Sequence, residues 1–211
     1  MKIKVCGMKH PDNIKSISAL DLNYMGFIFY EKSPRFAKTP IEIPGSIQKV
    51  GVFVNASMEE ILEKVSEFEL SVVQLHGHET PAYCESLSRA LAEAHQADIK
   101  LWKVFSIKSA SDFEGIDPYE SVVDGYLLDT KGQYRGGNGV KFNWQLLDDY
   151  HFQKPVMLSG GIEPKDAETI IKLYQKGKIE GVDVNSGFED EPGLKNKNRL
   201  EQFIKTIRTH E

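Results

Sequence analysis

Lys2-Ile-Lys-Val-Cys-Gly7, at the start of the chain, and Gly181-Val-Asp-Val-Asn-Ser-Gly187, near its end, both read as short strands running into glycine. Successive side chains of a strand point to opposite faces. Lys2, Lys4 and Cys6 therefore share one face, and Ile3 and Val5 the other. In the second stretch Asp183 and Asn185 lie opposite Val182 and Val184. Apolar faces of this kind pack against helices, which turns Lys4 and Cys6 inward. A buried ammonium without a partner is costly, and Asp183 supplies one if the last strand lies beside the first. A Lys4–Asp183 contact is expected on these grounds, and it requires a sheet that closes on itself.

Between these two ends, strand-like runs alternate with helical patterns. The strand candidates are Lys2–Gly7, Tyr24–Tyr30, Lys49–Asn55, Ser71–Gly77, Lys100–Ile107, Gly125–Thr130, Pro155–Gly161 and Gly181–Gly187. Ser57-Met-Glu-Glu60 has capping-box spacing and opens an apolar stripe of Ile61, Leu62, Val65 and Phe68. Thr80-Pro-Ala opens a second helix, Pro164 suits the first turn of another, and Leu200, Phe203, Ile204 and Ile207 form a final stripe. Helices are also expected near Ile41–Gln48 and Ser111–Tyr119, although proline and glycine interrupt both. Strands and helices in strict alternation, with no linker-like stretch, specify a parallel sheet. A doubly wound open sheet competes with a barrel, and the count of eight favours closure. The expected class is α/β: a single (β/α)8 barrel of the TIM type spanning residues 1–211.

Composition narrows the function classes. Of 211 residues, 40% are hydrophobic and 27% charged, the profile of a soluble globular chain. A formal net charge of −5 gives no reason to expect a nucleic-acid partner. No run approaches the ~18 apolar residues of a membrane helix, and no signal peptide is legible, so a cytoplasmic location without membrane contact is expected. Cys6 and Cys84 are the only cysteines, too few for a disulfide framework or a cysteine-based metal site.

In such barrels the chemistry sits at the C-terminal ends of the strands. The first strand ends on Cys6, the fourth on Gln74-Leu-His76-Gly77, and the sixth places Asp129 at the rim. A thiolate and a carboxylic acid facing each other across a ligand make a base and acid pair. The bland readings are a small core residue for Cys6 and a loop cap for Asp129; Cys84, within a helical pattern, is read as structural. Ser159-Gly160-Gly161 and Asn185-Ser186-Gly187 are glycine loops of the kind that bring backbone N–H groups to a phosphate. The polar, glycine-rich run 131–139 reads as a lid. His76 and His78 alone fall short of the three protein ligands usual for catalytic zinc, so no metal is expected.

The ordered set Lys4-Val-Cys-Gly7, Gly26-Phe-Ile-Phe29, Ser33-Pro-Arg35, Val50-Gly-Val-Phe53, Gln74-Leu-His-Gly77, Leu128-Asp-Thr130, Gly136-Gly-Asn-Gly139 with Phe142-Asn-Trp144, Leu158-Ser-Gly-Gly161 and Val182-Asp-Val-Asn-Ser-Gly187 resembles the successive motifs of the phosphoribosylanthranilate isomerase family. It covers essentially the whole chain. The resemblance implies a cofactor-free Amadori rearrangement in tryptophan biosynthesis, acting on a small phosphosugar, in a monomer or homodimer. It makes Asp129 the general acid and Cys6 the general base. It assigns Arg35 to the anthranilate carboxylate and places His76 and Asp183 along the site. Asp183 is left either to orient sugar hydroxyls or to hold Lys4. Gly160, Gly161, Ser186 and Gly187 match the phosphate loops. Asn185 and Asn138 stand where many relatives carry serine or threonine, which alters loop detail and not the reaction. Other phosphosugar barrels depend on different strand-end residues, and a non-catalytic phosphate-binding barrel would not need Cys6.

Overall fold

The computed structural model describes residues 1–94, 97–130 and 141–210. The run expected to form a lid, 131–139, lies outside the described residues. The strands are β1 (Lys2–Val5), β2 (Tyr24–Ile28), β3 (Gln48–Phe53), β4 (Val72–Leu75), β5 (Lys100–Ile107), β6 (Gly125–Thr130), β7 (Val156–Leu158) and β8 (Gly181–Val184). They form a closed parallel barrel in chain order, with β1 hydrogen-bonded to both β2 and β8. Closure rules out the open sheet. Each strand falls where alternation placed it, to within a few residues at its ends.

The joint between β1 and β8 sets Lys4 beside Asp183 in register, and the Lys4 Nζ lies 3.0 Å from Asp183 Oδ2. The two side chains are 0% and 5% exposed. Beneath this pair the barrel interior is plugged by Val50, Val72, Trp102, Val104, Leu127 and Met157, with Tyr24 edge-on to Trp102 at 5.0 Å between ring centroids. The inward side chains thus change along the axis, from an apolar plug at the bottom, through a charged middle, to the strand ends above. The larger core lies outside, between strands and helices.

The helices are α1 (Pro11–Ile17), α2 (Met58–Phe68), α3 (Pro81–Glu93), α4 (Ala167–Gln175) and α5 (Lys197–Thr209). Ser57 and Thr80 cap α2 and α3 by accepting the Glu60 and Tyr83 N–H groups, as the spacing anticipated. α2 buries Ile61, Val65 and Phe68, and α5 buries Leu200, Phe203, Ile204 and Ile207. The helix expected near Ile41–Gln48 does not form. Residues 41–44 are irregular, 45–47 turn, and β3 begins at Gln48. Pro40 and Pro44 lack the N–H that a helix needs and push their preceding residues out of the α region. The stretch Ser111–Tyr119 is held as two 3-10 segments, Ala110–Gly115 and Asp117–Tyr119, with Gly115 ending the first and Pro118 inside the second. A 3-10 turn, Trp144–Asp149, fills the interval between β6 and β7. After β8 the chain forms a small antiparallel hairpin, β9 (Glu189–Glu191) and β10 (Leu194–Lys195), before α5.

Removing one member of a buried ion pair strands the other's charge, at a cost of about 3 kcal/mol or more. Lys4→Met is therefore expected to lower unfolding free energy by ~3 kcal/mol in urea titration. The double variant Lys4→Met/Asp183→Leu should recover most of that loss, since an apolar pair replaces the ionic one.

Candidate active site

The C-terminal strand ends open into a cavity of about 590 Å³. Cys6, Arg35, His76, Asp129, Gly160, Gly161, Asp183, Ser186 and Gly187 all line it, together with Gln74 and Asn185. Every residue singled out at the strand ends for chemistry or phosphate contact thus reaches one space. His78, the other half of the His-x-His pair, is exposed and is not part of the lining.

Cys6 follows β1, and its backbone N–H donates to the Val184 carbonyl at 2.9 Å, so barrel closure also seats the thiol. Gly26 on β2 leaves room for it, because a Cβ there would stand 2.8 Å from Cys6 Sγ. Burial pushes the Cys6 thiol above its ordinary pKa; Lys4 opposes that shift and Asp183 reinforces it. Lys4 alone does not outweigh the desolvation, so the resting group is the thiol. One carboxylate oxygen of Asp183 holds Lys4. The other, Oδ1, has no hydrogen-bond partner among the described residues, nor does Gln74 Oε1. Buried acceptors left open in a cavity wall are what a hydroxylated ligand would satisfy.

Asp129, one residue before the end of β6, is 6% exposed. Its Oδ1 accepts the Thr130 N–H at 2.8 Å, and its Oδ2 lies 3.4 Å from His76 Nε2. Gly160, at φ +88°, adopts a backbone conformation that side chains rarely allow. A Cβ there would also sit 2.6 Å from Asp129 Oδ1. At Gly187 a Cβ would fall 2.1 Å from the Ile162 carbonyl oxygen, so the loops after β7 and β8 touch backbone to backbone. That closeness brings Gly187 against the backbone that follows Gly160 and Gly161, and Ser186 lines the same cavity.

The loop carrying His76 has its own support. Glu79 accepts the Asn55 and Gly77 N–H groups, each at 2.8 Å, and pairs with Lys103 at 3.2 Å. Arg35 is held by Glu189: Nε lies 2.9 and 3.0 Å from the two carboxylate oxygens, and Nη2 lies 2.6 Å from Oε2.

A family model described as N-(5'phosphoribosyl)anthranilate (PRA) isomerase matches residues 3–206. The chain belongs to the phosphoribosylanthranilate isomerase family. It is similar to the N-(5'-phosphoribosyl)anthranilate isomerase of Parabacteroides distasonis, with 44% identity over 98% of this chain and 93% of the relative. Among solved structures it is similar to a phosphoribosyl anthranilate isomerase of Thermus thermophilus, at TM-score 0.82, 25% identity and full coverage of both chains. A family member solved in complex with reduced 1-(o-carboxyphenylamino)-1-deoxyribulose 5-phosphate matches at TM-score 0.79 and 29% identity, over 99% of each chain.

Within this phosphoribosylanthranilate isomerase fold, two charged residues near the site escaped sequence reading: Glu189 and Lys195 on the hairpin. The Lys195 side chain is wholly buried and contacts both the Glu189 carboxylate and Asn185 Oδ1, the latter at 2.8 Å. Burial works against ionisation of Glu189, but Arg35 and Lys195 hold its carboxyl below the usual range. Burial pushes Lys195 down, against the pull of Glu189. The legible signal was Pro192-Gly193, a turn pair between two short polar runs. Among the described residues, no cluster of His, Cys, Asp and Glu is arranged to hold a metal ion.

The raised Cys6 pKa is testable by alkylation in a Cys84→Ala background. Reaction with iodoacetamide should still be accelerating above pH 9.0, the ordinary thiol value. Lys4→Met removes the opposing positive charge, so the profile should shift further alkaline. A plateau below pH 8 would contradict the burial argument.

Proposed function

We propose that this chain converts N-(5-phosphoribosyl)anthranilate into 1-(2-carboxyphenylamino)-1-deoxyribulose 5-phosphate, a cofactor-free Amadori rearrangement carried by general acid–base catalysis. The observation that carries the proposal is that Cys6 and Asp129 line one cavity from strand ends separated around the barrel by β7 and β8. A substrate lying between them is reached by a base from one strand end and an acid from another.

The phosphate is held by Gly160, Gly161, Ser186 and Gly187, where touching loops let backbone N–H groups approach an anion. Arg35 meets the anthranilate carboxylate. Asp129 protonates the furanose ring oxygen, the C1–O bond breaks, and the nitrogen lone pair forms an iminium. Cys6 as thiolate removes the C2 proton, giving an enolamine that tautomerises to the ketone. The proton balance closes within the substrate and the two side chains. His76, 3.4 Å from Asp129, orients the acid. Asp183 serves both roles left open for it: Oδ2 holds Lys4, while Oδ1 receives a sugar hydroxyl.

The elevated Cys6 pKa fits this step. A thiolate formed against burial is scarce at neutral pH but a stronger proton acceptor once present. The iminium acidifies the neighbouring C–H, so the base need not be strong. The expected compartment is the cytoplasm, where the free thiols of Cys6 and Cys84 stay reduced.

Loss of anthranilate fluorescence follows the reaction, with product identity confirmed because the substrate also hydrolyses spontaneously. Cys6→Ser and Asp129→Asn should each lower kcat by about 10²–10⁴-fold while still binding a reduced product analogue. Near-normal turnover by Cys6→Ser would remove the base assignment. A folded wild type that fails to accelerate the reaction would remove the isomerase itself, leaving a phosphate-ligand binding barrel.

A further inference from the structure

The mouth of the cavity carries a second charged cluster that the acid–base chemistry does not use. Arg35 lines the cavity with its side chain 14% exposed, and its stem lies over Gly7, where a Cβ would stand 2.7 Å from Arg35 Cδ. Gly7 itself has φ +73°, so the position is closed to ordinary side chains twice over. The guanidinium is gripped along one edge only: Nε and Nη2 donate to Glu189. Glu189 is in turn seated by the Gly193 N–H at 2.9 Å and by the buried Lys195 ammonium. Lys195 also holds Asn185 Oδ1, and a Cβ on Gly7 would meet that same oxygen at 2.8 Å. The hairpin, Arg35 and the loop after β8 therefore share one ionic junction above the first strand end.

We infer that Glu189, seated by Lys195, is a positioning residue that fixes the Arg35 guanidinium so that its remaining edge recognises a carboxylate on the substrate's aromatic ring. The inference rests on the role proposed above for Arg35. A guanidinium is a planar fork with two usable edges. Glu189 takes the Nε/Nη2 edge, and Nη1 with the second Nη2 hydrogen forms the end that can meet a carboxylate in bidentate fashion. A long arginine side chain otherwise surrenders its rotamer freedom when the ligand arrives; here that freedom is already lost. The charges agree with this reading. Two cations and one anion leave the cluster with one surplus positive charge, which an incoming carboxylate neutralises. A competing role for Glu189, as a stand-in that blocks Arg35 until substrate displaces it, predicts the opposite effect on removal.

Calorimetry with two ligands separates these readings: reduced 1-(o-carboxyphenylamino)-1-deoxyribulose 5-phosphate and its analogue lacking the ring carboxylate. The readout is the ratio of their affinities, alongside the kcat/KM ratio for phosphoribosylanthranilate and phosphoribosylaniline. Wild type should favour the carboxylated ligand, and Arg35→Met should lose the preference. Glu189→Asp keeps the charge that neutralises Lys195, and so the fold, but is one methylene too short for the grip on Arg35. It should cut the preference by about tenfold, the scale of one hydrogen bond to a charged group, through KM rather than kcat. Glu189→Gln should cut it at least as much. Equal losses for both ligands would make Glu189 structural and overturn the inference, as would tighter binding of the carboxylated ligand. Equal wild-type affinity for the two ligands would also overturn it. A wild type that discriminates between the ligands but turns over neither substrate would count against the isomerase reading and leave the positioning role standing.

Discussion

Lys4 and Asp183 meet at 3.0 Å between the first and last strands, almost sealed from water. Neither group would be tolerated there alone, because an unpaired buried charge costs far more than the pair. Their pairing requires β1 and β8 to be neighbours in the observed register, which is the condition for a closed barrel. The same ammonium lies within the field of Cys6, two residues along the same strand face. One ion pair therefore ties topology to chemistry. Any shift of β8 by one residue would turn Asp183 outward and strand Lys4 beneath the site.

The inward side chains form a gradient along the barrel axis. The bottom is filled by valines and Trp102, which gives the strands a dry plug to wrap around. Above it Lys4, Asp183 and Gln74 are polar but nearly inaccessible. At the top Cys6, His76 and Asp129 reach the cavity while remaining mostly covered. Covalently simple residues acquire their chemistry from depth: Cys84, on a helix, is pushed up to about 11 by burial and does not line the strand-end cavity. Burial raises the Cys6 thiol as well, and Cys6 lines the cavity.

Most of this was legible in the sequence, for identifiable reasons. A two-residue period marks the strands, glycine ends the first, fourth, seventh and eighth runs, and the parity of each run names its inward residues. That is why Cys6, Gln74, His76, Asp129 and Asp183 emerged together. The helical layer was less legible. Pro44 and Pro118 interrupt stretches that carry apolar residues, and the chain answers with irregular and 3-10 structure that period counting does not distinguish from a frayed helix. Glu189 and Lys195 were missed for another reason. Ionic residues flanking a Pro-Gly turn read as a solvated loop, and their burial exists only once the hairpin folds back over Gly7 and Arg35.

The two ionic clusters are not independent, because Lys195 also acts on Cys6, favouring its thiolate. The mouth cluster of Arg35, Lys195 and Glu189 carries one surplus positive charge. Coulomb interactions across a poorly solvated site extend well beyond contact distance, so Lys195 helps offset a negative charge on Cys6. The mouth and the first strand end thus share one charge balance. It is set by four fixed side chains: Lys4, Asp183, Glu189 and Lys195.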